Sequence, residues 1–261
     1  TRTDLGVELA RGFEAAGRDA DAGELYKRLL TNANVSVETQ IRAGRFFARI
    51  GDIAAARKLG DSLLAVTPDD PTGLFLKAEG LLVDGRYAEA RRHMMEATSS
   101  TQDAQFLDGL GRANEALSRQ SNDTAIRDEA LRAYDQVTQL DPKILNAWVG
   151  VGRIRLARGE YEKALIAYEA ALKLDPNNPE VPYGIGKAYV ELDDTRNAIQ
   201  WLARAVSAHP TADAYWELGR LYYEADKANQ AAGALERAVA LATKDERDTG
   251  IVVSWLTEAL W

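Results

Sequence analysis

Residues 145–178 read LNAWVGVGRIRLARGEYEKALIAYEAALKLDPNN, and this stretch decides the fold. Counted from Leu145 as position one, small residues stand at positions eight and twenty, as Gly152 and Ala164. Two antiparallel helices approach closely only where side chains are small, so these positions predict a packed helix pair. Gly159 at position fifteen tolerates turn geometry and predicts the end of the first helix.

The stretch also carries a family pattern. Its characteristic residues, at positions 4, 8, 15, 17, 20, 24, 27 and 32, are Trp148, Gly152, Gly159, Tyr161, Ala164, Tyr168, Ala171 and Pro176. This pattern strongly resembles the tetratricopeptide repeat, a helix–turn–helix unit of 34 residues. The resemblance implies an all-α fold, a right-handed α-solenoid of antiparallel helix pairs in which each unit packs on its neighbours.

Copies of this unit can be followed along the chain. Steps of about 34 residues predict seven repeats over residues 3–244, with starts near Thr3, Val37, Pro71, Ala104, Leu145, Pro179 and Ala212. Position twenty is alanine in every copy: Ala22, Ala56, Ala90, Ala130, Ala164, Ala198 and Ala231. Position eight is also always small: Ala10, Gly44, Ala78, Gly111, Gly152, Gly186 and Gly219. Both columns agree with close helix packing.

Turn residues and prolines support the same register. Position fifteen, where the first helix of each repeat must stop, holds Gly17, Gly51, Gly85, Ser118, Gly159, Asp193 and Asp226. All seven prolines fall between repeats or in the first turn of a helix: Pro68, Pro71, Pro142, Pro176, Pro179, Pro182 and Pro210. A proline in a helix interior would cost about 3 kcal/mol, so a wrong register would have placed at least one there.

Two segments depart from the pattern. The step from Ala104 to Leu145 is seven residues too long, with the surplus at about 119–127. It predicts either a tolerated loop or lengthened helix pair, or an insertion that contacts a partner. Residues 245–261 are predicted to form a C-terminal capping helix over the exposed end of the solenoid. The alternative is the first helix of a further repeat.

Composition limits the function classes. The formal charge is −8, which disfavours nucleic acid as a partner. No apolar run approaches the roughly 20 residues of a membrane span. There are no cysteines, and this leaves both the bacterial cytoplasm and the periplasm open. The chain begins Thr1-Arg2-Thr3 without methionine, so we expect a fragment or a processed product, in which any targeting segment of the natural protein need not be present.

Signals for catalysis are poor. The two histidines, His93 and His209, lie far apart in sequence, whereas a zinc or histidine-based site needs clustered partners. Two GxG segments, at 150–152 and 184–186, lack the longer phosphate-binding pattern and occupy small-residue positions of the repeat. We therefore expect no enzyme activity, no cofactor and no metal.

A basic row is the strongest binding signal. In the family that the chain resembles, positions two, five, nine, twelve and thirteen of each first helix line a concave groove. Position nine is Arg11, Arg45, Glu79, Arg112, Arg153, Lys187 and Arg220, basic in six of seven copies. Such a row focuses positive potential, and arginine grips carboxylates in bidentate fashion. The predicted partner is therefore a protein or peptide, with acidic segments favoured.

Aromatic residues complete the predicted groove. Position five contributes Phe75, Tyr183 and Trp216, and position twelve contributes Tyr223. The predicted site comprises Arg45, Phe75, Arg112, Arg153, Tyr183, Lys187, Trp216, Arg220 and Tyr223, with its centre in the C-terminal repeats. The alternative is that the cations only pair with acids at positions two and thirteen. The clamp by which chaperone-binding relatives hold a peptide C-terminus is not matched, because no position nine is asparagine.

These patterns favour a non-enzymatic interaction scaffold. The resemblance to bacterial tetratricopeptide proteins suggests assembly of an envelope, pilus, secretion or exopolysaccharide complex. Two alternatives stay open: a regulatory module of a larger signalling protein, and a homo-oligomer that associates through exposed solenoid ends.

Overall fold

The structure, a computed structural model, describes residues 2–32 and 35–244, and this part of the chain is entirely helical between its turns. The helices are α1 (Arg2–Ala15), α2 (Asp19–Leu30), α3 (Val37–Arg49), α4 (Ile53–Val66), α5 (Pro71–Val83), α6 (Tyr87–Ser99), α7 (Ala104–Ser121), α8 (Thr124–Leu140), α9 (Leu145–Ala157), α10 (Tyr161–Leu174), α11 (Val181–Glu191), α12 (Thr195–Ala208), α13 (Ala212–Glu224) and α14 (Ala228–Lys244). The predicted all-α solenoid class is confirmed. The capping helix predicted at 245–261 lies outside the described residues.

The chain divides into two compact units, unit 1 (Thr1–Asp141) and unit 2 (Pro142–Trp261). Within each unit, consecutive helices pack against one another, so each repeat contributes a first and a second helix. The first helices of successive repeats also touch, α5 with α3 and α7 in unit 1, and α9 with α11 in unit 2. Each unit therefore presents one face built from first helices.

The small-residue columns act as the sequence predicts. All seven alanines at position twenty are fully buried. A methyl group added at Gly111 would meet the Tyr134 ring at 2.6 Å, and one added at Gly152 would meet the Tyr168 ring at the same distance. The second helix thus rests an aromatic ring directly on the backbone of the first.

The turns follow the predicted chemistry with one correction. Gly17, Gly51, Gly85 and Gly159 have φ between 68° and 80°, and Asp193 and Asp226 each have φ of 56°, all in the left-handed region that ends a helix. Ser118 was expected in the same role, but it is buried inside α7, and Asn122 with φ of 54° makes the turn instead.

The seven surplus residues extend both helices of their pair. Helix α7 has 18 residues and α8 has 17, against 13 and 14 in the regular pair α9 and α10. Asp123 caps the longer α8 by accepting hydrogen bonds from the N–H groups of Ala125 and Ile126. The surplus therefore forms a lengthened helix pair, one of the two predicted outcomes.

Candidate partner-binding faces

The first-helix face of unit 2 is built around two matched pairs of a cation and an aromatic ring. The Lys187 ammonium lies 5.9 Å from the centre of the Tyr183 ring on α11. The Arg220 guanidinium lies 5.9 Å from the Trp216 ring on α13. Both pairs span four residues, one helical turn, so successive repeats present the same arrangement. We call this set of four residues and their surroundings the unit-2 face.

Two of the predicted cations on the unit-2 face are bound by local carboxylates. Arg153 donates to Glu180, which stands at position two of the next repeat. Arg220 donates to Glu224 at 2.6 Å and to Glu217 at 3.1 Å on its own helix. This is the alternative in which the basic row pairs with nearby acids. Lys187, by contrast, has no salt bridge to any residue that the structure describes.

The aromatic side chains of the unit-2 face differ in exposure. Burial raises the pKa of the Tyr183 phenol to about 12, and Glu217 and Asp213 add to the shift. Trp216 is half-buried, and its Nε1–H group is buried with no hydrogen-bond partner among the residues that the structure describes. Tyr223 is exposed at 38%. The face therefore offers apolar ring surface together with one unused donor.

In unit 1, two residues at position nine, Glu79 and Arg112, form a buried ion network together with Asp108. Arg112 binds the carboxylate of Glu79 with two nitrogens and that of Asp108 through Nε at 3.1 Å. The side chains of Glu79 and Asp108 are each only 10% exposed. Burial lowers the pKa of Arg112, but Glu79 and Asp108 outweigh it, so the pKa lies above its usual value. Burial likewise raises the pKa of Asp108 against the opposing charge of Arg112. Arg112 is thus part of the scaffold's own charge balance.

Phe75 was expected as an exposed anchor and is instead a core residue. It is 1% exposed and stacks on Phe106 with ring centres 4.9 Å apart. The Arg45 guanidinium covers the other part of this cluster, 4.6 Å from the centre of the Phe75 ring. Burial lowers the pKa of Arg45 to about 10, although Asp103 and Glu79 oppose the shift. Phe75 therefore serves packing in unit 1.

Arg45 also lines a cavity of about 480 Å³. The sequence did not predict this cavity when one position of the repeat was compared at a time. Arg42, Arg45 and Arg49 follow one another on α3 at spacings of three and four, and all three line the cavity. We call this cavity the arginine cavity; the rest of its wall is Glu14, Glu38, Ile41, Phe46, Asp103, Ala104, Gln105 and Asp141. The sequence does contain a signal for this cavity, since the spacing of three and four residues places the three cations on one face of a helix.

The described residues offer little for other kinds of site. His93 Nδ1 lies 3.1 Å from Glu96 on its own helix, and His209 is the residue that ends α12. Across residues 2–32 and 35–244, no group of three or more His, Cys, Asp or Glu side chains is placed to hold a metal ion. None of the helices described is long and apolar enough to cross a membrane.

Two family models match the chain. A model described as TPR repeat matches residues 152–193, and one described as Tetratricopeptide repeat matches 41–104 and 183–246. These segments cover repeats in both units. They run from within α3 to the first residue of α7 in unit 1, and from within α9 past the end of α14 in unit 2.

Several curated proteins are similar over most of the chain. The BBSome complex member BBS4 homolog of Drosophila melanogaster is 22% identical over 231 residues, 88% of this chain and 46% of that protein. The Protein O-mannosyl-transferase TMTC1 of Homo sapiens is 24% identical over 213 residues, 69% of this chain and 24% of that protein. The chain thus spans less than half the length of these relatives.

Among solved structures, the APC/C hetero-tetramer Cut9-Hcn1 matches with a TM-score of 0.75 at 14% identity, over 99% of this chain and 49% of that chain. At this identity the likeness concerns the fold. Tetratricopeptide repeat proteins generally mediate protein–protein interaction, and two of these relatives are named as members of protein complexes. By its repeats, its helix pairs and both model matches, the chain belongs to the tetratricopeptide repeat family.

Proposed function

We propose that this protein is a non-enzymatic scaffold that binds a segment of a partner protein on the unit-2 face. The observation that carries the proposal is the repeated cation–aromatic pair, Lys187 on Tyr183 and Arg220 on Trp216. Aromatic side chains bury much surface at low entropic cost, which makes them frequent anchors at interfaces.

The chemistry of the face favours an extended or helical segment with apolar side chains. Its rings supply area, and the buried Nε1–H of Trp216 needs an acceptor, which a backbone carbonyl of a bound segment would provide. Arg153 and Arg220 are already paired, whereas Lys187 has no carboxylate partner among the described residues, so its ammonium supplies most of the preference for an acidic partner. Charge thus adds specificity, while the rings supply affinity.

A scaffold role accounts for the described residues better than catalysis does. Two of the three cations on the unit-2 face, Arg153 and Arg220, bind carboxylates that belong to the repeat framework itself. One similar protein is named as a transferase, but the similarity spans 24% of that protein, so it speaks for shared repeats.

The finer role that we propose is assembly of a bacterial envelope, pilus, secretion or exopolysaccharide complex. This part rests on the resemblance of the repeats to those of bacterial tetratricopeptide proteins. A regulatory module of a larger signalling protein is the competing proposal, and the full reading frame separates the two. A sensor or kinase domain in the same frame would contradict the assembly role. Self-assembly predicts a mass that rises with concentration in light scattering.

The direct test is capture of partner proteins by wild type and by a Lys187→Glu variant, with captured proteins identified by peptide mass spectrometry. Lys173→Glu is the matched control, because Lys173 is an exposed lysine on the second helix α10. We expect Lys187→Glu to lose a defined set of proteins that the control retains. If both variants capture that set as wild type does, the unit-2 face does not bind it.

A further inference from the structure

The arginine cavity of unit 1 contains donors that nothing in the described chain satisfies. Three buried N–H groups, Arg42 Nε, Arg45 Nε and Arg45 Nη2, have no hydrogen-bond partner there. All three belong to side chains that line the same cavity of about 480 Å³. Buried polar groups are almost always paired, so three such donors at one cavity call for an acceptor.

Two of the four carboxylates on the cavity wall, Glu14 and Asp103, have partners elsewhere. Glu14 accepts from the Tyr26 hydroxyl at 2.6 Å and pairs with Arg49 at 3.4 Å. Asp103 accepts from the Gln105 N–H at 2.7 Å and so caps α7. Neither satisfies the open donors of Arg42 and Arg45. Since none of the described residues accepts from these three donors, their acceptor is either solvent or a bound group.

We propose that the arginine cavity binds the carboxylate of an aspartate or glutamate side chain from a partner polypeptide. A planar guanidinium matches a carboxylate in geometry and charge. A monoanion suits the cavity better than a phosphate dianion, because four carboxylates already line its wall and repel added negative charge. The site lies in unit 1, so it is separate from the unit-2 face and does not depend on the function proposed there.

Arg45 carries the signature of a residue kept for binding at the expense of stability. Its charged form is disfavoured by burial, which lowers its pKa to about 10. Its stem and guanidinium cover Phe75, a task that an uncharged side chain of similar length can perform. Replacing a buried, unsatisfied charge by a well-packed apolar group is commonly neutral or stabilising. Arg45→Met should therefore separate binding from folding.

The experiment follows the side-chain Nε–Hε signals of Arg42 and Arg45 by NMR. The probe is glutamate blocked at both ends, N-acetyl-glutamate N-methylamide, whose one charge is the side-chain carboxylate. The matched control is the neutral glutamine compound at equal ionic strength. We expect saturable shifts of both signals with the glutamate probe and none with the glutamine probe. Non-saturable shifts, or equal shifts with both probes, would overturn the proposal.

Two variants and one further anion complete the test. Arg45→Met should weaken glutamate binding at least 10-fold without lowering the melting temperature, while Arg92→Met, at an exposed arginine of α6, should bind like wild type. Unchanged binding by Arg45→Met would contradict the assignment. Inorganic phosphate binding more tightly than the glutamate probe would show that the cavity selects a dianion. Lys187→Glu should leave the titration unchanged, which distinguishes this site from the unit-2 face.

Discussion

Units 1 and 2 use position nine of the repeat in opposite ways. In unit 1, Arg112 lies in a buried network with two carboxylates, and Arg45 lies on a core phenylalanine beside a cavity. In unit 2, Arg220 lies over an aromatic ring and pairs with acids of its own helix, and Lys187 has no carboxylate partner among the described residues. The same column of the sequence therefore packs against core residues and buried carboxylates in unit 1, and lies beside partly exposed aromatic rings in unit 2.

A single residue accounts for much of this difference. Glu79 is the one acid in the basic row, and it stands next to Arg112 on the neighbouring first helix. Its carboxylate gives Arg112 a partner that can be buried with it. Unit 2 has no acid at position nine, so its cations turn to acids at other positions. Glu79, the one acid at position nine, therefore decides that the cation beside it is buried in an ion pair, which the basic residues alone would not predict.

The largest expected effect breaks the network of unit 1. Arg112→Ala leaves Glu79 and Asp108 buried and close together with no cation between them. We expect a loss of about 3–5 kcal/mol in the free energy of unfolding. Far-UV circular dichroism in urea follows the helices of both units. All five tryptophans of the chain lie in unit 2, so tryptophan fluorescence follows that unit alone.

The control for this prediction removes both charges of the pair. Glu79→Gln combined with Arg112→Met should recover only part of the stability, since it removes the unpaired charge at residue 79 but leaves the buried carboxylate of Asp108 without the guanidinium that it binds. A loss below about 1 kcal/mol for Arg112→Ala would place the network among ordinary surface pairs. The two units would then treat position nine alike, and the contrast between them would fail.

The next effect should be equal in the two units. Gly111→Ala and Gly152→Ala each drive a methyl group into a tyrosine ring at 2.6 Å. We expect each to cost about 1–3 kcal/mol through overpacking, which outweighs the gain of about 1 kcal/mol in helix propensity. Gly12→Ala is the control, since nothing lies within 4 Å of its new methyl group. If only one of the two variants lowers the urea midpoint, the helix pairs of the two units differ in more than their charges.

Much of the scaffold was predictable because each repeat specifies its own helix pair through residues close together in sequence. Small residues at positions eight and twenty and turn residues at position fifteen each need only their own helix pair to be interpreted. Ser118 misled the prediction, because the seven extra residues continue α7 beyond the usual stop and Asn122 takes the turn. The residue at position fifteen does not by itself show that the first helix continues for one more turn.

The candidate sites were less predictable because they depend on neighbours across repeats. Phe75 has the position of an exposed anchor, but Phe106 and Arg45 from the adjoining repeats cover it. The arginine cavity likewise requires α7 to face α3, which no single repeat encodes. Trp216 and Arg220, in contrast, lie on one helix, so their spacing of four residues was enough to predict that the two side chains are neighbours.

The smallest expected effect on stability concerns Arg220. Arg220→Ala removes two ion pairs within one helix, worth about 0.2–0.5 kcal/mol each, and one cation–aromatic contact worth about 0.5–1 kcal/mol, together about 1–2 kcal/mol. The loss should shrink further at high salt, because pairs of this kind are screened. Arg220→Met is the matched variant that keeps the stem over Trp216 and removes only the charge. If the unit-2 face binds partners, both variants should weaken partner capture far more than they lower the urea midpoint, with Arg220→Ala the weaker binder. An Arg220→Ala protein as destabilised as Arg112→Ala would instead make Arg220 a structural residue, and the unit-2 face would lose its claim to be the binding surface.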